Sequence, residues 1–186
     1  MSRISDLFFA ITASFLLLTP FLFIAIMIKL SSPGPIFFWS KRVGINNTNF
    51  FMPKFRTMRI EAPNVATDKL DQPEKYITSL GFFLRKSSLD ELPQLYSILK
   101  GEMSFIGPRP ALFNQYDLIE LRNKYKINKL MPGITGWAQV NGRDEITLQQ
   151  KVNLEKAHLE NKSFSFNFLI IYKTVIKIIK QENVSH

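Results

Sequence analysis

LFFAITASFLLLTPFLFIAIMI, residues 7–28, runs for twenty-two residues without a charged side chain. As a helix rising about 1.5 Å per residue it would reach roughly 33 Å, about the thickness of a bilayer's hydrocarbon core. A cleaved signal peptide carries a shorter apolar stretch and a small-x-small cleavage site. This run is longer and no such site precedes the polar chain, so it reads as a retained membrane segment. Pro20 lies in its middle, where a missing N–H and a crowding ring bend a helix. Thr19 beside it can return its hydroxyl to an earlier carbonyl, which helps a kink persist in lipid. Both flanks are basic, with Arg3 on one side and Lys29, Lys41 and Arg42 on the other, so the positive-inside bias gives no reason to place either end outside. A re-entrant helix-break-helix over residues 5–30, dipping into one leaflet, fits these features. A single span with a tolerated proline is the alternative.

The rest of the chain can build a core, with 46% hydrophobic residues in 186. Twenty-four Lys and Arg against fifteen Asp and Glu give a formal charge of +9. Such an excess points to an anionic partner: nucleic acid, a lipid surface or phosphorylated small molecules. With no cysteine there is no disulfide, thiolate nucleophile or cysteine zinc site, and the two histidines, His158 and His186, are far apart in sequence. Metal chemistry, if used, is oxygen-ligated.

After the anchor, residues 32–55 read as a turn at Ser32–Pro35, a strand near Ile36–Ser40, an Asn-rich turn at Asn46–Asn49 and a return strand ending near Phe55. Residues 59–78 are polar, carry two prolines and lack periodicity, so they read as a loop or short helix over the site. LGFFLRK follows as a short apolar stretch, then a helix beginning near Asp90, the turn GPRP at 107–110 and an amphipathic helix from about Leu112 to Tyr125. PGITGWAQVNGR, residues 132–143, reads as a Gly-punctuated loop. The closing FNFLIIYKTVIKIIK puts Phe168, Ile171, Val175 and Ile178 on one helix face and Lys173, Lys177 and Lys180 on another. That pattern suits a helix in a membrane interface, lysines toward the head groups, and equally a helix packed on a protein core.

The stretch SSLDELPQL, residues 87–95, places two acids side by side in this basic chain. Ser88-x-x-Glu91 matches a capping box, and with Asp90 as N-cap, Pro93 falls at the third helical position. The positive end of a helix would keep Asp90 ionised and attract phosphate, which also suits a carboxylate nucleophile attacking a phosphoryl group, while Glu91 could hold Mg2+ through oxygen. An anion attacking an anion needs cations nearby. Arg109, set between Pro108 and Pro110, can offer a guanidinium fork. Lys54 and Arg56 end the hairpin, and Arg85 precedes the acids by five residues. Composition and pattern alone stop at a basic, membrane-attached, phosphate-handling protein.

Taken together, KFRTM (54–58), SSLDELPQL (87–95), LKGEMSFIGPRP (99–110) and PGITGWAQVNGR (132–143) resemble the bacterial sugar transferase family. More narrowly, they resemble the monotopic polyprenyl-phosphate phosphoglycosyl transferases that initiate capsule, O-antigen, exopolysaccharide or glycoprotein glycan assembly. The resemblance runs from the apolar segment to about residue 180. It implies a mainly helical α+β fold: a re-entrant membrane helix, a short β-hairpin and amphipathic interfacial helices around an active site on the cytoplasmic face of the bacterial inner membrane. It also implies one catalytic domain over residues 1–186, similar to the minimal catalytic unit of larger relatives. The implied substrates are a UDP-sugar and a polyprenol phosphate such as undecaprenyl phosphate, with sugar-1-phosphate transferred and UMP released in two steps. On the matching positions Asp90 is the nucleophile that forms a phosphosugar-aspartyl intermediate. Glu91, with Asp90, serves Mg2+, and Lys54, Arg85 and Arg109 handle phosphate. Membrane lipid is the further partner, nucleic acid is not expected, and homo-oligomer formation is left open. The family's kinked helix usually carries Ser-Pro where this chain has Thr19-Pro20.

Two other readings use the same residues. A membrane-bound nucleotide-sugar hydrolase would give the intermediate to water, and polyprenol-dependent product formation separates the two. A non-enzymatic basic anchored binding protein explains the charge and the amphipathic ends but leaves the acid pair and GPRP without a role. No physical rule links residues 59–78 or 132–143 to one particular sugar.

Overall fold

The computed structural model describes residues 2–63, 72–142 and 146–180. The apolar run folds as two helices, α1 (Arg3–Leu16) and α2 (Leu18–Ser31), bent by 62° at Leu17. The bend precedes Pro20 by three residues, and proline chemistry explains the offset. Pro20 has no N–H to give the Leu16 carbonyl and its ring crowds that carbonyl, so α1 stops at Leu16. Pro20 then occupies the third position of α2, where an N–H would lack a partner within the new helix. The back-bond expected of Thr19 belongs instead to Thr12, whose hydroxyl donates to the Phe8 carbonyl at 2.9 Å. Thr19 makes no side-chain hydrogen bond among the described residues. Among those residues no single helix is long and apolar enough to cross a membrane, whereas α1 and α2 together are, by length and composition only.

The helix pair turns much of its apolar surface outward. Phe8, Phe15, Leu16, Leu22, Phe23 and Leu30 are exposed, while Ala10, Ile24, Ala25 and Ile28 are buried against the rest of the protein. Its N-terminal end is fastened by polar contacts. Arg3 donates to the Leu99 carbonyl at 2.7 Å, and buried Asp6 accepts from the Ser104 hydroxyl at 2.9 Å and the Phe105 N–H at 3.3 Å.

The expected hairpin forms from β1 (Phe37–Val43) and β2 (Asn49–Phe55), antiparallel, with Phe38 opposite Lys54 and Arg42 opposite Phe50. Its turn is a single 3-10 turn at Ile45–Asn47 in which Asn46 and Asn47 take left-handed backbone angles, a conformation asparagine tolerates well. Short LGFFLRK is helical: α3 (Ser79–Lys86) starts where the Thr78 hydroxyl accepts from the Gly81 N–H at 2.9 Å. A 3-10 helix over Leu89–Gln94 runs into α4 (Leu95–Lys100). Then come β3 (Ser104–Ile106), β4 (Ala111–Leu112) and α5 (Tyr116–Lys124). The helix read from Leu112 therefore begins later, because Ala111 and Leu112 pair with β1 as the third strand, in the order β2-β1-β4.

The segment read as a loop at 132–143 contains β5 (Gly133–Thr135), parallel to β3, and the short helix α6 (Trp137–Val140); Arg143 lies outside the described residues. The chain closes with α7 (Leu148–Glu160) and α8 (Phe164–Lys180). Of residues 59–78, Pro73–Lys75 form a 3-10 turn and Met58 bridges Ile77, while 64–71 are outside the described residues.

Packing joins these pieces around the acids. Ala10, Phe50, Met52, Ile98 and Met103 fill the space between α1, the hairpin and α4. Phe55, Leu84, Ile24, Ala25 and Ile28 fix α2 and α3 against the other end of the hairpin. Each large side chain buried this fully contributes about 1.5–3 kcal/mol of transfer free energy. Along α8, Ile170 is buried, but Phe168, Ile171, Val175 and Ile178, the face expected to be apolar, are exposed.

Candidate active site

Asp90 and Glu91 sit in the 3-10 helix Leu89–Gln94, which packs on β2. The expected capping box does not form. The turn from α3 is tight, with the Ser88 N–H donating to the Arg85 carbonyl at 3.1 Å, and Ser88 enters with φ +57°. A side-chain N-cap needs extended backbone angles, so Ser88 caps nothing and Asp90 is the second helical residue instead of the cap.

Two cations converge on one oxygen. Lys54 Nζ, from the end of β2, donates to Glu91 Oε1 at 2.7 Å, and Arg109 Nη2 donates to the same oxygen at 2.8 Å. Asp90 is different: its ion pair is with Lys54 at 3.6 Å, and it accepts no hydrogen bond among the described residues. The two acids are therefore tuned apart. Burial pushes Glu91 up, but Arg109 and Lys54, through charge and hydrogen bonds, hold it well below the ordinary carboxylate range. For Asp90 burial prevails, seconded by the Glu91 charge, and its carboxyl is raised despite Lys54, Arg109 and Arg85. Desolvation thus outweighs any helix-end effect on Asp90, whose carboxyl keeps its proton to higher pH than an ordinary aspartate.

The other predicted residues fall around this pair. Arg85 donates Nε to the Thr57 hydroxyl at 2.9 Å and lies close enough to Asp90 to feel its charge, although burial sets the downward shift of the guanidinium. α3 can come this close to Thr57 because residue 81 is glycine: a Cβ there would stand 2.0 Å from the Thr57 carbonyl oxygen. Pro108 and Pro110 flank Arg109, and all three carbonyls of this tripeptide are hydrogen-bonded. Pro108 O accepts from Gly133 N at 3.0 Å, Arg109 O from Arg122 Nη2 at 3.0 Å, and Pro110 O from Arg42 Nη1 at 3.1 Å. Arg56 leaves the site: its guanidinium donates to the Ser32 carbonyl and hydroxyl, each at 2.9 Å, and to the Pro33 carbonyl, closing the turn after α2. Thr19 and Pro20 remain in the helix pair.

Sequence reading missed Arg42, Thr57, Arg122 and Glu155. Arg42 was within reach, because strand alternation puts it on the same face as Phe38, the partner of Lys54. Burial first, and then Arg109, lowers the Arg42 guanidinium to about 10. The Arg122–Glu155 pairing joins α5 to α7 and has no local signature.

Among the described residues no cluster of three His, Cys, Asp or Glu could cage a metal. The donor set still suits Mg2+, which keeps several waters and takes one or two carboxylates plus substrate phosphates. Glu91 Oε2 accepts no hydrogen bond among the described residues, and the Asp90 carboxylate is desolvated and only loosely paired.

Fold and site together define a small α+β protein that presents a buried carboxylate pair, ringed by cations, beside an outward-facing apolar helix pair. The chain belongs to the bacterial sugar transferase family, whose model matches residues 1–181. It is 39% identical over 167 residues to the UDP-glucose:undecaprenyl-phosphate glucose-1-phosphate transferase of Xanthomonas campestris pv. campestris, covering 86% of this chain and 34% of that protein. It is 37% identical over 185 residues to the protein of the same name from Escherichia coli (strain K12), covering 95% of this chain and 40% of that one. A sugar transferase of Bacillus subtilis (strain 168), EpsL, is 37% identical over 163 residues, covering 88% of this chain and 79% of the relative. The chain thus spans well under half the length of the two glucose-1-phosphate transferases.

Proposed function

We propose that this protein transfers sugar-1-phosphate from a UDP-sugar to a polyprenol phosphate, undecaprenyl phosphate by analogy with its relatives, at the cytoplasmic face of the bacterial inner membrane. The observation that carries the reading is the division of labour between the acids: Glu91 takes both cations, leaving Asp90 buried, under-paired and able to attack. In the first step an Asp90 carboxylate oxygen bonds to the phosphorus that bears the sugar. The bond from that phosphorus to the bridging oxygen breaks, and UMP leaves with the oxygen. In the second, a phosphate oxygen of the polyprenol attacks the same phosphorus and the Asp90 carboxylate is released. Lys54 and Arg109 offset the charge of the donor phosphates, and Glu91 holds both in place. Asp90 and Glu91 would hold Mg2+, which supplies positive charge to the phosphate oxygens.

The mass of the intact protein, incubated with Mg2+ and a panel of UDP-sugars in the absence of polyprenol phosphate, tests this. An added sugar-phosphate that undecaprenyl phosphate discharges is the expected result, and chelation of Mg2+ removes it. Polyprenol-dependent UMP release with no adduct from any donor would overturn the covalent route. Discharge to water at the same rate as to polyprenol phosphate would favour the hydrolase.

The bent, outwardly apolar α1–α2 pair and the exposed apolar face of α8 support a monotopic placement, with α1 and α2 entering and leaving through one leaflet. The chain has no cysteine, so single cysteines report cleanly. Ser2→Cys and Ser31→Cys, at the two exposed ends of the pair, are both expected to react with an impermeant maleimide only from the cytoplasmic side of oriented vesicles. Labelling from opposite sides would establish a span.

A further inference from the structure

We infer that Arg122 and Glu155 are a positioning pair for Arg109, holding the backbone of the Pro-Arg-Pro turn so that its guanidinium meets the donor's phosphates. The inference rests on the phosphate-binding role of Arg109 proposed above. Arg122 is 8% exposed and Glu155 is 2% exposed, and they come from α5 and α7, neither of which supplies a group to the acid pair. Arg122 Nε donates to Glu155 Oε2 at 2.8 Å and Nη2 donates to Oε1, a two-pronged pairing that fixes the plane of the guanidinium. Nη2 also donates to the Arg109 carbonyl at 3.0 Å. Stability is a weak reason for such a pair, because well-packed apolar residues in place of a buried ion pair are often neutral or better. Aiming a turn is a stronger one. The prolines restrict the Pro-Arg-Pro dihedrals but do not say where the turn sits, and the Arg122 bond lands on the residue whose side chain must be aimed. The Glu155 carboxylate in turn prevents Arg122 from turning to another acceptor.

The test is a binding cycle on the full chain in lipid nanodiscs, with UDP in the presence of Mg2+ as the probe, since every donor considered carries it. The variants are Arg122→Met with Glu155→Met, Arg109→Ala, and all three together. Replacing both partners leaves no unpaired buried charge, and thermal unfolding reports whether the fold is kept. The methionine pair is expected to weaken UDP binding by roughly 10- to 100-fold, the loss that one displaced charge-assisted contact carries. Arg109→Ala is expected to do the same, and the triple variant to bind no more weakly than Arg109→Ala alone. Losses that multiply, or unchanged affinity in the methionine pair while Arg109→Ala weakens it, would overturn the inference. Unchanged affinity in Arg109→Ala would instead remove the phosphate-binding role of Arg109 on which the inference stands. Should the methionine pair fail to fold, Arg122→Lys takes its place in the same cycle, because it keeps the charge but loses the planar, two-pronged pairing with Glu155 that fixes the donor's direction toward the Arg109 carbonyl. The same non-additive loss is then expected, and wild-type affinity in Arg122→Lys would count against the pair.

Discussion

Asp90→Asn is expected to slow polyprenol-dependent UMP release by at least about 1,000-fold, because an amide cannot act as the attacking carboxylate. The same change is expected to raise the thermal unfolding midpoint. Burial raises the Asp90 carboxyl in the folded protein above its ordinary value of 3.8. Between the unfolded and folded pKa values the native state keeps a proton that the unfolded chain has lost, so this group's contribution is fully present at low pH. It is lost as pH rises through the folded pKa. Above the folded pKa the ionised Asp90 therefore opposes folding, and asparagine removes that penalty while conserving shape. A variant that unfolds several degrees earlier would show that the charge supports the fold, and one that keeps its turnover would place the nucleophile elsewhere. The pH profile follows from the same asymmetry. Lys54 and Arg109 keep Glu91 ionised far into acid, so the acid limb of kcat/KM belongs to Asp90 and lies above the ordinary carboxylate range.

What could be read in the sequence was what local chemistry and period decide. The hairpin was legible from its apolar run and its asparagines, and the structure puts left-handed residues at Asn46 and Asn47. The bent apolar pair was legible from Pro20, although the bend sits three residues earlier, because proline disables the carbonyl four residues before it. Asp90, Glu91, Lys54 and Arg109 stood out as an acid pair with cations nearby, motif resemblance implied their roles, and the structure brings them into one cluster. The capping box was misread because the sequence does not show that Ser88 enters left-handed, a consequence of how tightly α3 meets the next turn. Arg56 looked equivalent to Lys54, since residues two apart share a strand face, yet β2 ends at Phe55 and the Arg56 guanidinium turns to Ser32 in the turn after α2. The contacts that hold Arg109, from Arg42, Arg122 and Gly133, span up to 68 residues of chain and follow from tertiary packing alone.

Gly107→Ala is expected to cost roughly 100-fold in kcat/KM, the scale of a displacement near 1 Å at a catalytic group. It is also expected to lower the unfolding free energy by about 1–3 kcal/mol, as overpacking does. A Cβ at residue 107 would stand 2.1 Å from the Met131 carbonyl oxygen and 2.9 Å from the Gly133 nitrogen, backbone atoms that cannot swing aside as a side-chain tip could. The facing glycine is just as confined, since a Cβ at 133 would stand 2.1 Å from the Gly107 nitrogen. The two backbones are held together by Gly107 N–H to Thr135 O at 2.8 Å and Gly133 N–H to Pro108 O at 3.0 Å. Relief of the clash has to move one strand of the parallel β3–β5 pair, and the next residues in line are Pro108 and Arg109. The guanidinium then leaves Glu91 Oε1, and Glu91 retains only Lys54. Turnover measured beside chemical denaturation separates the two effects, because the activity loss is too large for the fraction unfolded at 25 °C to account for it. Wild-type kcat/KM in Gly107→Ala would show that the site does not depend on how closely these two backbones approach.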